Sequence, residues 1–256
     1  MKTGLRHSSA PSVSVILPTY NESGNIVPLL IALQKGLQEY KADFLVADDN
    51  SPDGTSDTVL VAKKKYTWKN VAVLTRTHDR GLTNSIRDGI SCTTGDIVVW
   101  MDCDFSHPPE IVPLLVAEVA KGYDAAVASR FAPLGKQKVK GHGDSQTAIG
   151  LSTALNVLLK ILFRFDFHDY TSGFIAIRRT VLLKIPLRGD YGEYFIDLMC
   201  RFFFAGYRAK EIPFTSGSRL YGESKTGSDI GTLVHHGKDY FGTVLRIVME
   251  HITGKI

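Results

Sequence analysis

Apolar residues in this chain come in short runs, each closed by a polar or acidic cluster, with three- and four-residue apolar spacing between the runs. Residues 12–18 (SVSVILP) are rich in β-branched and apolar side chains, the pattern of a strand covered on both faces. The polar turn Thr19-Tyr20-Asn21-Glu22-Ser23-Gly24-Asn25 then opens a helix whose apolar positions include Ile26, Leu29, Leu30, Leu33 and Leu37. A second strand, 43–47, ends in Asp48-Asp49-Asn50-Ser51-Pro52-Asp53-Gly54-Thr55 and is followed by a helix over 55–66. A short strand at 71–74 leads to Arg80-Gly81-Leu82-Thr83-Asn84, which opens the next helix. Strand, polar loop and helix, repeated at roughly 25 to 30 residues, predict a doubly wound parallel sheet.

The stretch that most repays attention is Asp96-Ile97-Val98-Val99-Trp100-Met101-Asp102-Cys103-Asp104-Phe105-Ser106-His107-Pro108-Pro109-Glu110. An apolar run stops at two carboxylates spaced two apart, and Pro-Pro can open a helix but not continue a strand. In a parallel sheet that end faces a ligand crevice, with Asp102 and Asp104 pointing the same way at its mouth. Such a pair suits Mg²⁺ or Mn²⁺, which take oxygen ligands and leave positions open for water and phosphate. Equally, Asp102 could cap the following helix and Asp104 could be a solvated turn residue.

Further along, a helix over 109–121 precedes a strand at 124–129 that ends at Arg130. That arginine could hold a phosphate bidentately or pair with nearby acids; the phosphate role is the stronger expectation. Residues 131–144 are Gly- and Lys-rich and aperiodic, which predicts either a mobile loop over the site or a linker. The helix predicted over 146–165 is apolar on most faces, through Leu151, Leu155, Leu158, Leu159, Leu162 and Phe163, with Val157 and Ile161 on the far side. Residues 169–179 predict a loop and strand, 193–205 a helix, and 209–214 a short strand. Residues 216–227 gather Arg219, Ser224 and Lys225 on a Gly-rich loop suited to an oxyanion, or simply solvated. A final amphipathic helix, 229–252, sets Ile230, Leu233, Val234, Phe241, Val244, Leu245, Val248 and Ile252 on one face, which could pack on its own domain, on a membrane or on a partner helix.

Composition narrows the reading. Hydrophobic residues make up 44% and charged residues 22%, ordinary for a globular protein, and 256 residues suffice for one large α/β domain. The organisation expected is a tail over 1–11, a single domain over 12–228 and the C-terminal helix over 229–256. A net charge of +4 is too small to argue for nucleic acid, and there is no motif for it. Cys92, Cys103 and Cys200 are unevenly spaced and fit reduced thiols on the cytoplasmic side. No signal peptide and no apolar window of about 18 residues is present, so the chain is not expected to cross a bilayer. No Gly-x-Gly-x-x-Gly follows the first strand and no Gly-Lys-Ser/Thr loop occurs, against a dinucleotide oxidoreductase or a P-loop enzyme.

With these pieces in place the chain resembles the glycosyltransferases of the GT-A fold, family 2, and among them the dolichol-phosphate mannose synthases. The matching stretches are Pro18-Thr19-Tyr20-Asn21-Glu22, Asp48 to Thr55, Arg80-Gly81-Leu82, Met101 to Pro109, Ser129-Arg130, Thr171-Ser172-Gly173-Phe174 and Gly222-Glu223-Ser224-Lys225. The resemblance implies a Rossmann-like, mostly parallel sheet flanked by helices. It implies that Pro18, Tyr20, Glu22, Asp48, Asp49 and Cys103 line the nucleotide-sugar pocket. Asp102 and Asp104 would hold Mg²⁺ or Mn²⁺ at the pyrophosphate, with Ser106 a third or water-mediated ligand. Arg130, Arg219 and Lys225 would meet phosphates, so Asp104, Arg130 and Arg219 are the expected catalytic residues.

The activity so implied is inverting transfer of a hexose, mannose from GDP-mannose or else glucose from UDP-glucose, to a polyprenyl phosphate at the cytoplasmic face of a membrane, with small membrane-protein partners. The acceptor phosphate is already an oxyanion, so no dedicated base is required, and the leaving nucleoside diphosphate is what needs stabilising. Two alternatives remain. One is a soluble family 2 enzyme acting on a sugar hydroxyl, with Asp197 as base, although Asp197 also reads as a helix-surface acid. The other is a non-catalytic nucleotide-sugar-binding subunit. The chain departs from many relatives at Gln146-Thr147-Ala148, where they carry an arginine facing the acceptor phosphate.

Overall fold

The computed structural model describes residues 10–133, 146–163, 165–217, 220–221 and 230–256. The alternating runs fold into β1 (Val13–Thr19), α1 (Ile26–Gly36), β2 (Ala42–Asp48), α2 (Thr55–Lys65), β3 (Val71–Thr75), α3 (Leu82–Cys92) and β4 (Ile97–Trp100). After a 3-10 turn at Pro109–Ile111 come α4 (Val112–Ala120), β5 (Ala125–Ser129), α5 (Gln146–Phe163), β6 (Ile175–Arg178), α6 (Arg179–Leu182), α7 (Glu193–Phe204), β7 (Ala209–Pro213) and α8 (Ile230–Ile252).

The strands form one seven-stranded sheet in the order β3-β2-β1-β4-β6-β5-β7. All pairs are parallel except those of β6, which runs antiparallel to both β4 and β5. The mostly parallel sheet that the sequence leads one to expect is thus present, and among the described strands β6 is the exception. The reason is local. The residues after α5 bring the chain back to the edge at which β5 ended, so β6 must run the other way, and apolar spacing carries no sign of strand direction.

Side chains alternate between two cores. Val13, Val15 and Leu17 of β1 face one layer with Leu29, Leu30 and Leu33 of α1 and Leu115, Val116 and Val119 of α4. Ile16 faces the other with Ile86 of α3, Trp100, and Phe195, Leu198, Met199 and Phe202 of α7. Helix α3 lies so close to β1 that a Cβ on Gly89 would stand 2.5 Å from the Ile16 side chain, and glycine there is required by the approach. Register then sets the functional edge: Thr19 pairs with Asp48 and Asp48 with Thr75, so the carboxyl ends of β1, β2 and β3 form one line beside β4.

Among the described side chains of α8, Thr243 and Ile247 are buried and Tyr240 and Val244 pack partly against the core, while Phe241, Leu245, Met249 and Ile252 are exposed. On α5, Leu159 is buried, while Val157, Leu158, Ile161 and Leu162 are exposed. No helix among the described residues is long and apolar enough to cross a membrane. None of the three cysteines is in a disulfide.

Candidate functional site at the carboxyl edge of the sheet

Three strands end in acidic or polar turns that share one device. Asn21, Asn50 and Phe105, just past β1, β2 and β4, take φ of 58°, 54° and 68°. Asparagine tolerates the left-handed region, whereas a bulky residue such as Phe105 adopts it only when the surroundings impose it.

Asp48 is buried and its carboxylate is satisfied by its neighbours. Thr19 Oγ1 donates at 3.0 Å, Ser51 Oγ at 2.5 Å, Ser51 N at 3.1 Å and Ser56 Oγ at 2.8 Å. These four bonds tie β1 to the start of α2, so in this structure Asp48 builds the turn. Asp49, next along, turns toward the loop after β3. The buried Arg76 guanidinium pairs with its Oδ1, Ser85 Oγ donates to Oδ1 at 2.9 Å, and the amide of Gly81 donates to Oδ2 at 2.7 Å. Arg76 also reaches Asp88 at 2.7 Å and the carbonyl of Asp79 at 2.6 Å, beside an open polar cavity of about 480 Å³ lined partly by Arg76, His78, Asp79, Arg87 and Asp88.

Past β4, Asp102 is exposed and Asp104 is buried. Both the amide and the hydroxyl of Ser106 donate to Asp104 Oδ1, at 2.9 and 2.6 Å, which fixes that carboxylate from below. Cys103 is buried between them, its thiol donating to the carbonyl of Pro18 at 3.4 Å, so this loop is stitched to the end of β1. The amide of Asp102 donates to His107 Nδ1 at 3.0 Å, which leaves the ring proton on Nε2, 3.8 Å from Asp102 Oδ2. His107 stacks on Phe174 with centroids 4.8 Å apart and meets the edge of Phe214. Burial pulls the His107 pKa below the ordinary imidazole value, against the opposing pull of Asp102 and Asp104, so the ring is a neutral support for the loop.

The donor set fits a hard cation completed by other ligands. Among the described residues no three His, Cys, Asp or Glu side chains converge. Two carboxylates, one held rigid and one open to solvent, would leave most positions to water and phosphate oxygens, as Mg²⁺ and Mn²⁺ require.

Arg130 leaves β5 and pairs with Asp169. Its Nε and one terminal nitrogen each lie 3.0 Å from the Asp169 oxygens, and the same terminal nitrogen donates to the Thr171 carbonyl at 2.9 Å. Of the two roles the sequence left open, the structure displays the acidic pairing. Across the loop of Asp104, the amides of Gly217 and Leu220 donate to the carbonyls of Ser106 and Asp104, at 3.0 and 3.2 Å. Arg219, Ser224, Lys225 and residues 134–144 of the predicted loop lie outside the described residues, as do the side chains of Gln146, Thr147 and Ala148.

Asp197 is neither a helix-surface acid nor placed to act as a base. It is fully buried, and Arg188, Arg201 and Arg246 converge on its two oxygens, with Arg188 at 2.8 Å and Arg246 at 3.2 Å. A carboxylate so occupied has no lone pair left for a substrate hydroxyl. Arg188 also forks onto Glu250 of α8, so this cluster fastens α8 to α7.

Sequence reasoning did not single out Arg76, His107 or Asp169. Arg76 sits at the carboxyl end of β3 as Arg130 does at β5, which was the available signal. His107 stands in the same turn as its partner Asp102, which was the available signal there, whereas nothing local marks Asp169, whose partner Arg130 is 39 positions away.

Comparison with known proteins follows the same outline. The family model for glycosyl transferase family 2 matches residues 14–185. The chain is 32% identical over 246 residues to a dolichol-phosphate mannosyltransferase of Pyrococcus furiosus, covering 94% of this chain and 68% of the relative. It is 34% identical over 226 residues to a polyprenol monophosphomannose synthase of Mycolicibacterium smegmatis, covering 84% of this chain and 82% of the relative. Glucosyl-3-phosphoglycerate synthase of Mycobacterium tuberculosis, solved with Mn²⁺, UDP and phosphoglyceric acid, superposes with a TM-score of 0.69 at 20% identity, over 93% of this chain and 78% of that one. That likeness establishes the GT-A architecture.

Proposed function

The chain belongs to glycosyl transferase family 2, and we propose that it transfers mannose from GDP-mannose to a polyprenyl phosphate with inversion at the anomeric carbon. What carries this reading is the pair Asp102 and Asp104 at the carboxyl edge of β4, in a chain 32–34% identical to proteins named for mannosyl transfer to dolichol or polyprenol phosphate.

The acceptor's phosphate oxygen attacks the anomeric carbon from the face opposite the leaving group, and the bond to the nucleoside diphosphate breaks. The nucleophile arrives ionised, so the site needs no base, and the ion-paired state of Asp197 agrees with that. Asp102 and Asp104 would hold Mg²⁺ or Mn²⁺, which supplies positive charge to the departing diphosphate. Ser106 keeps the Asp104 carboxylate aimed, at 2.6 Å. Pro18, Tyr20, Glu22, Asp49 and Cys103 border the nucleoside side. Arg130, Arg219 and Lys225 meet phosphates; Asp169 orients the guanidinium of Arg130 from behind, so an arriving phosphate finds it already in place.

A long polyprenyl tail needs an apolar surface, and the outward residues of α5 and α8, Leu158, Ile161, Phe241, Leu245 and Ile252 among them, offer one. A peripheral membrane location follows, with a small membrane protein as a possible partner class at the same surface. The test is transfer itself: protein, Mn²⁺, a short polyprenyl phosphate in detergent, and radiolabelled GDP-mannose or UDP-glucose in parallel. Label entering the organic phase from GDP-mannose alone supports the reading; label from UDP-glucose alone replaces the sugar, and transfer only to free sugar hydroxyls overturns it.

A further inference from the structure

We infer that Asn25 is a positioning residue that holds Tyr221 beside the loop after β1 while its neighbours Leu220, Gly217 and Ser216 bond to the cation loop after β4, so that the two loops are joined at the mouth of the site. What the mouth binds is taken from the nucleotide-sugar reading above; the tie itself stands on contacts alone.

Asn25 precedes α1 and is 2% exposed. Its side-chain nitrogen donates to Glu22 Oε2 at 2.7 Å and to the carbonyl of Tyr221 at 3.1 Å, so both amide protons are used and both acceptors lie outside α1. Its Oδ1 is buried with no partner, and the side chain makes no cap bond to α1. An asparagine ahead of a helix ordinarily serves as an acceptor for the first amides. Here the acceptor half is idle, at a cost in stability, and the donor half bridges two chain segments 196 positions apart. Aspartate could not do this, since it has no proton to give and would face Glu22.

The other contacts of the segment converge on the cation loop. Ser216 Oγ and the Gly217 amide both reach the Ser106 carbonyl, at 3.2 and 3.0 Å, and the Leu220 amide reaches the Asp104 carbonyl at 3.2 Å. A Cβ on Gly217 would stand 2.4 Å from the Phe105 carbonyl oxygen, an approach that only glycine allows. At the Asn25 end the Tyr221 ring lies over Gly24, where a Cβ would meet ring carbons at 3.2 Å. Yet Leu220 and Tyr221 are 53% and 61% exposed, so burial does little to hold them, and a few hydrogen bonds set their place. Glu22 and Asp104 border the nucleoside and diphosphate sides of the proposed donor site, and the Asn25 amide bonds both Glu22 and Tyr221, next to the Leu220 that reaches Asp104.

The experiment is hydrogen exchange on the full chain, wild type against Asn25→Ala, with GDP-mannose and Mn²⁺ affinity measured by calorimetry on the same samples. Loss of the tie should speed exchange at Gly217 and Leu220 about tenfold, leave the amides of β1 and the later turns of α1 unchanged, and raise Kd about five- to tenfold, the factor of roughly one lost hydrogen bond. Unchanged protection at both amides would overturn the inference, as would a uniform loss across β1 and α1, which marks a merely structural residue. Should Asn25→Ala not fold, Gly24→Ala displaces the Tyr221 ring from outside the core; local loss at Leu220 supports the tie and its absence refutes it. Local loss in a protein whose wild type binds neither GDP-mannose nor UDP-glucose would uphold the tie and sink the donor reading.

Discussion

Arg130 sets its Nε and a terminal nitrogen against the two carboxylate oxygens of Asp169, each at 3.0 Å, and Asp169 is wholly buried while Arg130 keeps one flank in solvent. The pair fixes the plane of the guanidinium at the edge of β5, where a substrate phosphate is proposed to arrive. Asp169→Asn should cost about 2–4 kcal/mol in chemical denaturation, discounted for the solvent reach of Arg130. Arg130→Lys should lose at least about tenfold in kcat/KM, since an ammonium cannot fork onto carboxylate and phosphate alike. A lysine variant with native activity would remove Arg130 from the site.

Much of this was legible in the chain. The strand ends showed themselves because an apolar run cannot continue through Asp48-Asp49 or Asp102-Cys103-Asp104, and the family resemblance rested on those same turns. The direction of β6 was not legible, because 175–178 reads as an apolar run whichever way it points. Nor was the choice at Arg130, since its partner lies 39 positions away in a loop with no periodic signal. Asp197 was misplaced for a related reason: one acid on a helix reads as exposed unless the arginines from 188, 201 and 246 are known to converge. The sequence left open what the apolar face of α8 meets, because periodicity shows that a face is apolar and not what covers it; in the structure Ile247 and Val244 turn inward while Phe241, Leu245 and Ile252 stay exposed.

Ser106 carries the next expectation. Ser106→Ala removes the hydroxyl bond to Asp104 but keeps the amide bond. A hydrogen bond to a charged group contributes about 1.5–3 kcal/mol, so a somewhat lower melting temperature and a weaker apparent Mn²⁺ affinity, by about tenfold, should both follow. Metal titration of activity gives the answer, and an unshifted titration curve would deny Ser106 that part.

Asp197→Asn separates scaffold from chemistry. The buried Arg201 would lose its counter-charge, and so would the more exposed Arg188 and Arg246, and unfolding free energy should drop by about 2–4 kcal/mol once solvent screening of the latter two is allowed for. Turnover per folded molecule, measured at low temperature, should stay within about twofold, because no proton passes through this carboxylate.

A pH dependence follows at the seam between α7 and α8. Hydrogen bonds from Arg188 hold the Glu250 carboxyl below its usual 4.5, against a smaller opposing effect of burial. A depressed carboxylate stabilises the fold above its unfolded pKa, and that contribution disappears as pH falls through the folded value. Glu250→Gln should therefore lower the melting temperature at pH 7, with the difference from wild type shrinking below pH 4.5. A difference that grew on acidification would have the wrong sign for this ion pair.

The central claim is that two carboxylates at the end of β4, and no side-chain base, drive sugar transfer to a lipid phosphate. The direct measurement counts labelled mannose in the organic phase from GDP-mannose, Mn²⁺ and polyprenyl phosphate, for wild type, Asp104→Ala and Asp197→Asn together. The account predicts transfer by wild type, its abolition in Asp104→Ala, and its survival in the folded fraction of Asp197→Asn. Transfer that persisted without Asp104, or that vanished with Asp197 in a folded protein, would contradict it.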